Sequence, residues 1–385
     1  MTEALTRRVP GARGPARAGG GAPATPGAPD VPGAVQGPAG GSGGGQGAPA
    51  GRRRSLPRVL AIAVGLGALL VLAAGLSLTV GARSTGLSVV WDALTAFDPA
   101  DGDHLVVHSR IPRTVAGLLA GLALALAGTA LQGITRNPLA DPGILGLNAG
   151  AALAVVLGIH LAGVVDVTGF VWLGFGGCAL AAVVVYVVAS IGREGATPVK
   201  LALAGAALTA GCTSVMHGVL MMDQTALDGF RFWQVGTLGV RTTETMVSLI
   251  PFLVAGAAVC LLSARLFNAL ALGDDAAAGL GIRVGRGRGL AAVGVVLLVG
   301  TAVAIAGPIA FVGLVIPHGL RALIGGDYRA LLPLSALAGP VLLLLADTLG
   351  RVVLPPSEVQ VGVMTAVIGA PFFIWLIRTR KQVAL

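Results

Sequence analysis

From residue 59 onward, apolar stretches of 17 to 25 residues alternate with short polar breaks. A helix needs roughly 20 apolar residues to cross a hydrocarbon core about 30 Å thick. The pattern predicts spans at about 59–80, 114–132, 143–163, 167–191, 201–222, 246–264, 290–306, 309–325, 331–349 and 361–377. Read as one kinked helix, 290–325 would run about 54 Å at 1.5 Å per residue. Gly307-Pro308 therefore reads as a turn between two spans. The expected fold is an all-α polytopic membrane protein with ten transmembrane helices.

The polar breaks orient these spans. Residues 1–55 are rich in Gly, Ala and Pro, with almost no large apolar residues, and read as a disordered cytoplasmic tail rather than a signal peptide. "RRRSLPR" then sets a cytoplasmic stop before Val59. Ten crossings return the C-terminus to the cytoplasm. This topology places 20 of the 26 Lys and Arg residues inside and 6 outside, as the positive-inside rule requires. Arg110 and Arg113 of "HSRIPRTVAGLLAG" fall on the outer side, against the usual bias. Pro112 between them is suited to a first helical turn, which would leave both arginines at the outer rim.

Composition narrows the function. The chain has 385 residues, 55% hydrophobic and 11% charged, with a mean hydropathy of +0.87. A soluble domain carries about 25% charged residues, so this chain reads as an integral membrane protein. The net charge of +9 is explained by the tail and inner loops and does not point to nucleic acid. Cys178, Cys212 and Cys260 all lie in apolar runs without metal spacing and read as small buried hydrophobes.

Catalytic signatures are missing: no GxxxxGK[ST], HExxH or GxSxG occurs. "GIRVGRGRG" has no strand–turn–helix setting and reads as a basic loop. His217, alone in the 201–222 span, reads first as a packing residue. Asp347 is the clearest ionisable residue inside a span. Secondary transporters and channels need midplane charges or a polar stripe, and an intramembrane enzyme needs a nucleophile or metal constellation; neither pattern is present. No catalytic residue, cofactor or metal site is expected, and uphill transport would draw energy from a partner.

Two inner loops carry structure of their own. In "RLFNALALGDDAAAGLGIRVGRGRG", Asp274 and Asp275 suit a helix start and Gly281 a helix end, predicting a short helix over about 274–280. In "NPLADPGILGLNAGA", Gly146 and Gly150 are spaced for close helix contact. "PHGLRALIGGDYR" brings His318, Arg321, Asp327 and Arg329 near the inner surface.

Five motifs in order resemble the FecCD-type permeases of ABC importers: "RIPRTVAGLLAGLALALAGTALQG", "NPLADPGILGLNAGA", "LALGDDAAAGLG", "GPIAFVGLVIPHGLR" and "LLPLSALAGPVLLLLADTLGR…SEVQVGVMTAVIGAPFFIWLIR". The resemblance covers about 58–380. It implies a permease domain over 56–385 that pairs with a second permease, identical or not, around a central pathway. It further implies two cytoplasmic ABC ATPase subunits, which use the ATP, and an extracytoplasmic substrate-binding lipoprotein. A ferric siderophore is the expected cargo, with haem or cobalamin as alternatives.

The resemblance also implies residue roles. Arg110, Arg113 and Arg351 match positions that receive carboxylates of the binding protein, a task suited to a planar guanidinium fork. Gly273, Asp274, Asp275, Ala277, Leu280 and Gly281 match the coupling helix that rests on the ATPase. Ala278 stands where relatives often carry a basic residue. The resemblance implies a pathway lined mainly by the fifth and tenth spans, with contributions from the third and eighth; in the 201–222 span Thr209, Ser214, Met216 and Met222 are the candidates.

Overall fold

A computed structural model describes residues 56–379, apart from 82, 193–196, 240–242 and 356. The tail expected over 1–55 lies outside the described residues. The helices are α1 (Leu56–Thr79), α2 (Leu87–Thr95), α3 (Gly102–Thr135), α4 (Leu147–Ala162), α5 (Val167–Ser190), α6 (Pro198–Met222) and α7 (Gln224–Gln234), then α8 (Thr243–Leu262), α9 (Ala264–Leu270), α10 (Asp274–Gly279), α11 (Val284–Ala306), α12 (Val312–Ile324), α13 (Tyr328–Val353) and α14 (Val361–Thr379). Seven of them, α1, α3, α5, α6, α8, α11 and α13, are long and apolar enough to cross a membrane. Three further apolar helices are shorter: α4, α12 and the Val361–Trp375 part of α14. Each of the ten apolar stretches in the sequence is therefore helical. At 13 residues α12 spans only about 20 Å, short of a full hydrocarbon core.

The buried core forms around α3, which packs against α11, α12 and α13 and is buried along most of its apolar length. Small residues make this possible. A Cβ on Gly121 would stand 2.6 Å from Pro340 Cα of α13, so the two backbones touch where Gly121 meets Gly339. The helices α4 and α5 pair against α11 and α6, and α1 lies along α13 at the edge. Cys178, Cys212 and Cys260 are buried and unpaired, as their apolar settings imply.

Several boundaries differ from the sequence reading, each for a local reason. Helix α3 begins at Gly102, capped by the Asp101 carboxylate, which accepts from the Asp103 amide. Pro112 therefore sits well inside the helix and does not start it. Arg110 and Arg113 ride within this continuous helix, not ahead of its first turn. "GIRVGRGRG" is not a plain loop: α11 starts at Val284 and takes in its last six residues, with Gly287 lying close against the Leu266 side chain. The Gly146/Gly150 pair splits. Gly146 takes a left-handed φ of 73° as the hinge into α4, and Gly150 alone meets α5, against Ala181 and the Gly177 carbonyl. Gly307 ends α11 with φ 74°, so the chain does turn at Gly307-Pro308.

Candidate functional site: two arginine–aspartate clusters at opposite ends of α3

At the first cluster, Asp347 of α13 is fully buried and bound by two arginines. Arg113 grips it with Nε and Nη2 at 2.9 Å, and Arg351, one turn further along α13, makes a 3.3 Å ion-pair contact through Nε. The remaining Arg351 nitrogens donate to the Ser77 carbonyl (3.0 Å), the Ser77 hydroxyl (3.2 Å) and the Thr348 hydroxyl (3.2 Å). Arg351 is only 2% exposed. Arg110 is buried as well, and donates to the Leu78 carbonyl (2.8 Å) and to the Arg83 carbonyl. Buried charges are tolerated when paired and hydrogen-bonded; here one carboxylate and three backbone carbonyls take up most of the arginine N–H groups, while Arg351 Nε keeps only its ion-pair contact to Asp347.

One edge of Arg113 points elsewhere. Its Nη1 donates to Glu358 Oε2 at 2.6 Å, and Glu358 is exposed. Arg83, Arg110, Arg113, Arg351 and Glu358 line one cavity of about 400 Å³. The structure thus brings the three sequence-selected arginines together. It shows their guanidinium groups engaged within the chain, with Arg113 as the one whose partner faces the open cavity. Sequence reasoning missed Glu358. It noticed Asp347 as a lone acid in a span, which was the available signal, but assigned it no partner.

The second cluster lies 23 residues along α3 from Arg113, at Arg136, which caps the helix with a left-handed φ of 51°. Asp274, first residue of α10, receives both Nη atoms of Arg288 at 2.9 Å each, and Arg136 Nη1 lies 3.5 Å from its Oδ1. The α10 helix ends as its sequence requires. Gly281 takes φ 80°, its amide donates to the Ala278 carbonyl, and the Ile282 amide donates to the Ala277 carbonyl, closing a Schellman motif.

The six residues expected to face an ATPase divide by side. Asp275, Leu280 and Gly281 are exposed, Gly273 is half-buried, and Asp274 turns to the arginines. Ala277 is fully buried against the body of the protein, so it packs inward and offers no contact surface. Nearby, Asn268 of α9 donates to Asp327 (2.7 Å) and accepts from the Tyr328 amide (3.0 Å), and Arg321 donates to Gln132 and to the Tyr328 hydroxyl (3.2 Å). His318 is buried, edge-on to Phe372.

The pathway candidates also divide. Helix α6 leaves one stripe open, including Ala206, Ala210, Gly211, Ser214, His217, Gly218 and Met221. Ser214 and Met222 are exposed, whereas Met216 is buried in the core and points away from that stripe. Thr209 is half-buried, and its hydroxyl donates to the Gly205 carbonyl at 2.8 Å.

Comparison with known proteins agrees with this architecture. The FecCD transport family model matches residues 69–379. The chain is 46% identical over 324 residues to the ferric enterobactin transport system permease protein FepD of Escherichia coli, covering 84% of this chain and 96% of that one. It is 40% identical to the iron(3+)-hydroxamate import system permease protein FhuB of Bacillus subtilis, covering 86% and 85%. It is 37% identical to the hemin transport system permease protein HmuU of Yersinia pestis, covering 82% and 94%. Among solved structures, an inward-facing metal-chelate type ABC transporter superposes with a TM-score of 0.72 at 28% identity, covering 83% of this chain and 99% of that one. This chain belongs to the FecCD transport family and is a multi-pass membrane permease of an ABC importer.

Proposed function

We propose that the chain is the membrane half of an ATP-driven importer for a ferric siderophore. The 46% identity to the ferric enterobactin permease over 84% of the chain carries this reading. The seven long and three shorter apolar helices serve as ten crossings, with both termini in the cytoplasm and residues 1–55 as a tail ahead of the permease domain. The open stripe of α6, lined by small residues and Ser214, faces a second permease subunit across the pathway. A bulky chelate needs such room more than it needs tight ligands. Hydrolysis of ATP belongs to two cytoplasmic partner subunits, which rest on the exposed side of α10 at Asp275, Leu280 and Gly281.

The Arg113 end receives the extracytoplasmic binding protein. Because Arg110 and Arg351 are spent on carbonyls, hydroxyls and Asp347, docking proceeds at Arg113, where a partner carboxylate exchanges with the exposed Glu358. Guanidinium forks hold either carboxylate equally well in geometry. Opposed charge then speeds and orients the encounter more than it tightens it.

Uptake by reconstituted vesicles tests the reading. With the ATPase and binding protein present, ferric siderophore uptake is expected to require ATP. Uptake that continues without the ATPase would refute an ATP-driven importer, and uptake of haem alone would refute the cargo.

A further inference from the structure

We propose that Asp274 is a positioning residue, the joint through which α10 moves as one body with α3 and α11. This rests on the reading that α10 docks on an ATPase. Helix α10 has six residues, and its N-cap, Gly273, offers no side-chain cap. So short a helix has little stability of its own. Both carboxylate oxygens of Asp274 go instead to arginines of other elements. Arg288 belongs to the second turn of α11 and is largely buried; Arg136 closes α3. The helices α3 and α11 pack against each other, so a single carboxylate ties the surface helix to two members of the central core.

The two sides of α10 therefore do different work. Its exposed side, at Asp275 and Leu280, is available to a partner. Its inner side, at Asp274 and Ala277, is fixed to the protein. A push on the exposed side reaches the spans through the Asp274 fork and the Ala277 contact. The fork resists rotation and sliding of α10, since two parallel N–H···O bonds fix orientation as well as distance. A half-exposed ion pair contributes little to folding stability. Its removal should loosen transmission and leave the fold intact.

The experiment compares Asp274→Asn with Leu280→Asp in the full complex of permease, ATPase and binding protein. Three readouts are taken: co-purification of the ATPase, thermal unfolding, and chelate transported per ATP hydrolysed. For Asp274→Asn we expect normal co-purification and unfolding, with transport per ATP lowered about fivefold or more, the lower end of ordinary site-to-site coupling. Asp274→Glu, which keeps a carboxylate, should retain most of that ratio, and Arg288→Gln should repeat the loss. Unchanged transport per ATP in both Asp274→Asn and Arg288→Gln would overturn the joint. So would loss of ATPase co-purification in Asp274→Asn, because Asp274 would then be a partner contact. Leu280→Asp separates the underlying reading: if it leaves co-purification intact, α10 is not the ATPase dock, whatever Asp274 does.

Discussion

The two ends of α3 use the same stoichiometry in opposite surroundings. At one end Arg113 and Arg351 share Asp347 away from water; at the other Arg288 and Arg136 share Asp274 at the surface. Burial changes what the shared carboxylate does. In a buried cluster, removing one member strands the others, at a cost of about 3–5 kcal/mol. In a half-exposed cluster, water takes over the lost bonds, and the cost falls to about 1 kcal/mol or less. The buried cluster thus sets where helices sit, and the exposed one sets how a surface element is held.

The largest expected effect breaks this comparison directly. Asp347→Ala should destabilise the permease by about 3–5 kcal/mol, whereas Asp274→Ala should cost about 1 kcal/mol or less, both read as unfolding in detergent. Equal losses would mean that burial does not distinguish the clusters. A smaller effect sharpens the docking end. Glu358→Gln removes the internal competitor for Arg113 without changing its shape. Binding-protein affinity should rise about two- to fivefold, the range of an exposed pair. Weaker docking would instead make Glu358 a support that holds Arg113 in place.

Much of the architecture was legible because apolar length is a long-range signal that local chemistry seldom masks. All ten apolar stretches are helices, Gly281 ends α10, and the chain turns at Gly307-Pro308. The short helices α2, α7 and α9 escaped, because nine, eleven and seven residues are too few to form an apolar run that stands out beside the spans. The true start of α3 was signalled by Asp101, but Pro112 is the louder local cue, and tertiary packing overrides it. The structure gathers the three arginines into one cluster and engages their guanidinium groups within the chain. Nothing near Arg110 in sequence announces that the Leu78 carbonyl, 32 residues away, will take its proton donor. The fork between Asp274 and Arg288 hid inside a stretch that glycines disguised as a loop.

The smallest expected effect concerns a third pair, outside both clusters. His160, in the last turn of α4, hydrogen-bonds Asp223 at 2.7 Å, and Asp223 in turn caps α7 by accepting from the Ala226 amide. The bond from His160, then the one from Ala226, hold the Asp223 carboxyl below its ordinary value. A depressed carboxylate contributes stability above its unfolded pKa and loses it as pH falls through the folded one. Hydrogen-exchange protection over 224–234, taken relative to the intrinsic rate at each pH, should therefore fall below about pH 4, and Asp223→Asn should remove that acid dependence. An unchanged acid response in Asp223→Asn would place its origin elsewhere.

The helix that joins the two clusters has one further consequence. Arg113 and Arg136 are 23 residues apart on an unbroken helix, a separation of about 34 Å, close to the hydrocarbon thickness of about 30 Å. Each residue also advances the helix by about 100°. A single insertion between Gly117 and Gly133 would lengthen this gauge only slightly, yet would turn one charge cluster away from its partners. Helix α3 is keyed like a shaft with a notch at each end, and its residue count is held by rotational phase more strictly than by membrane thickness.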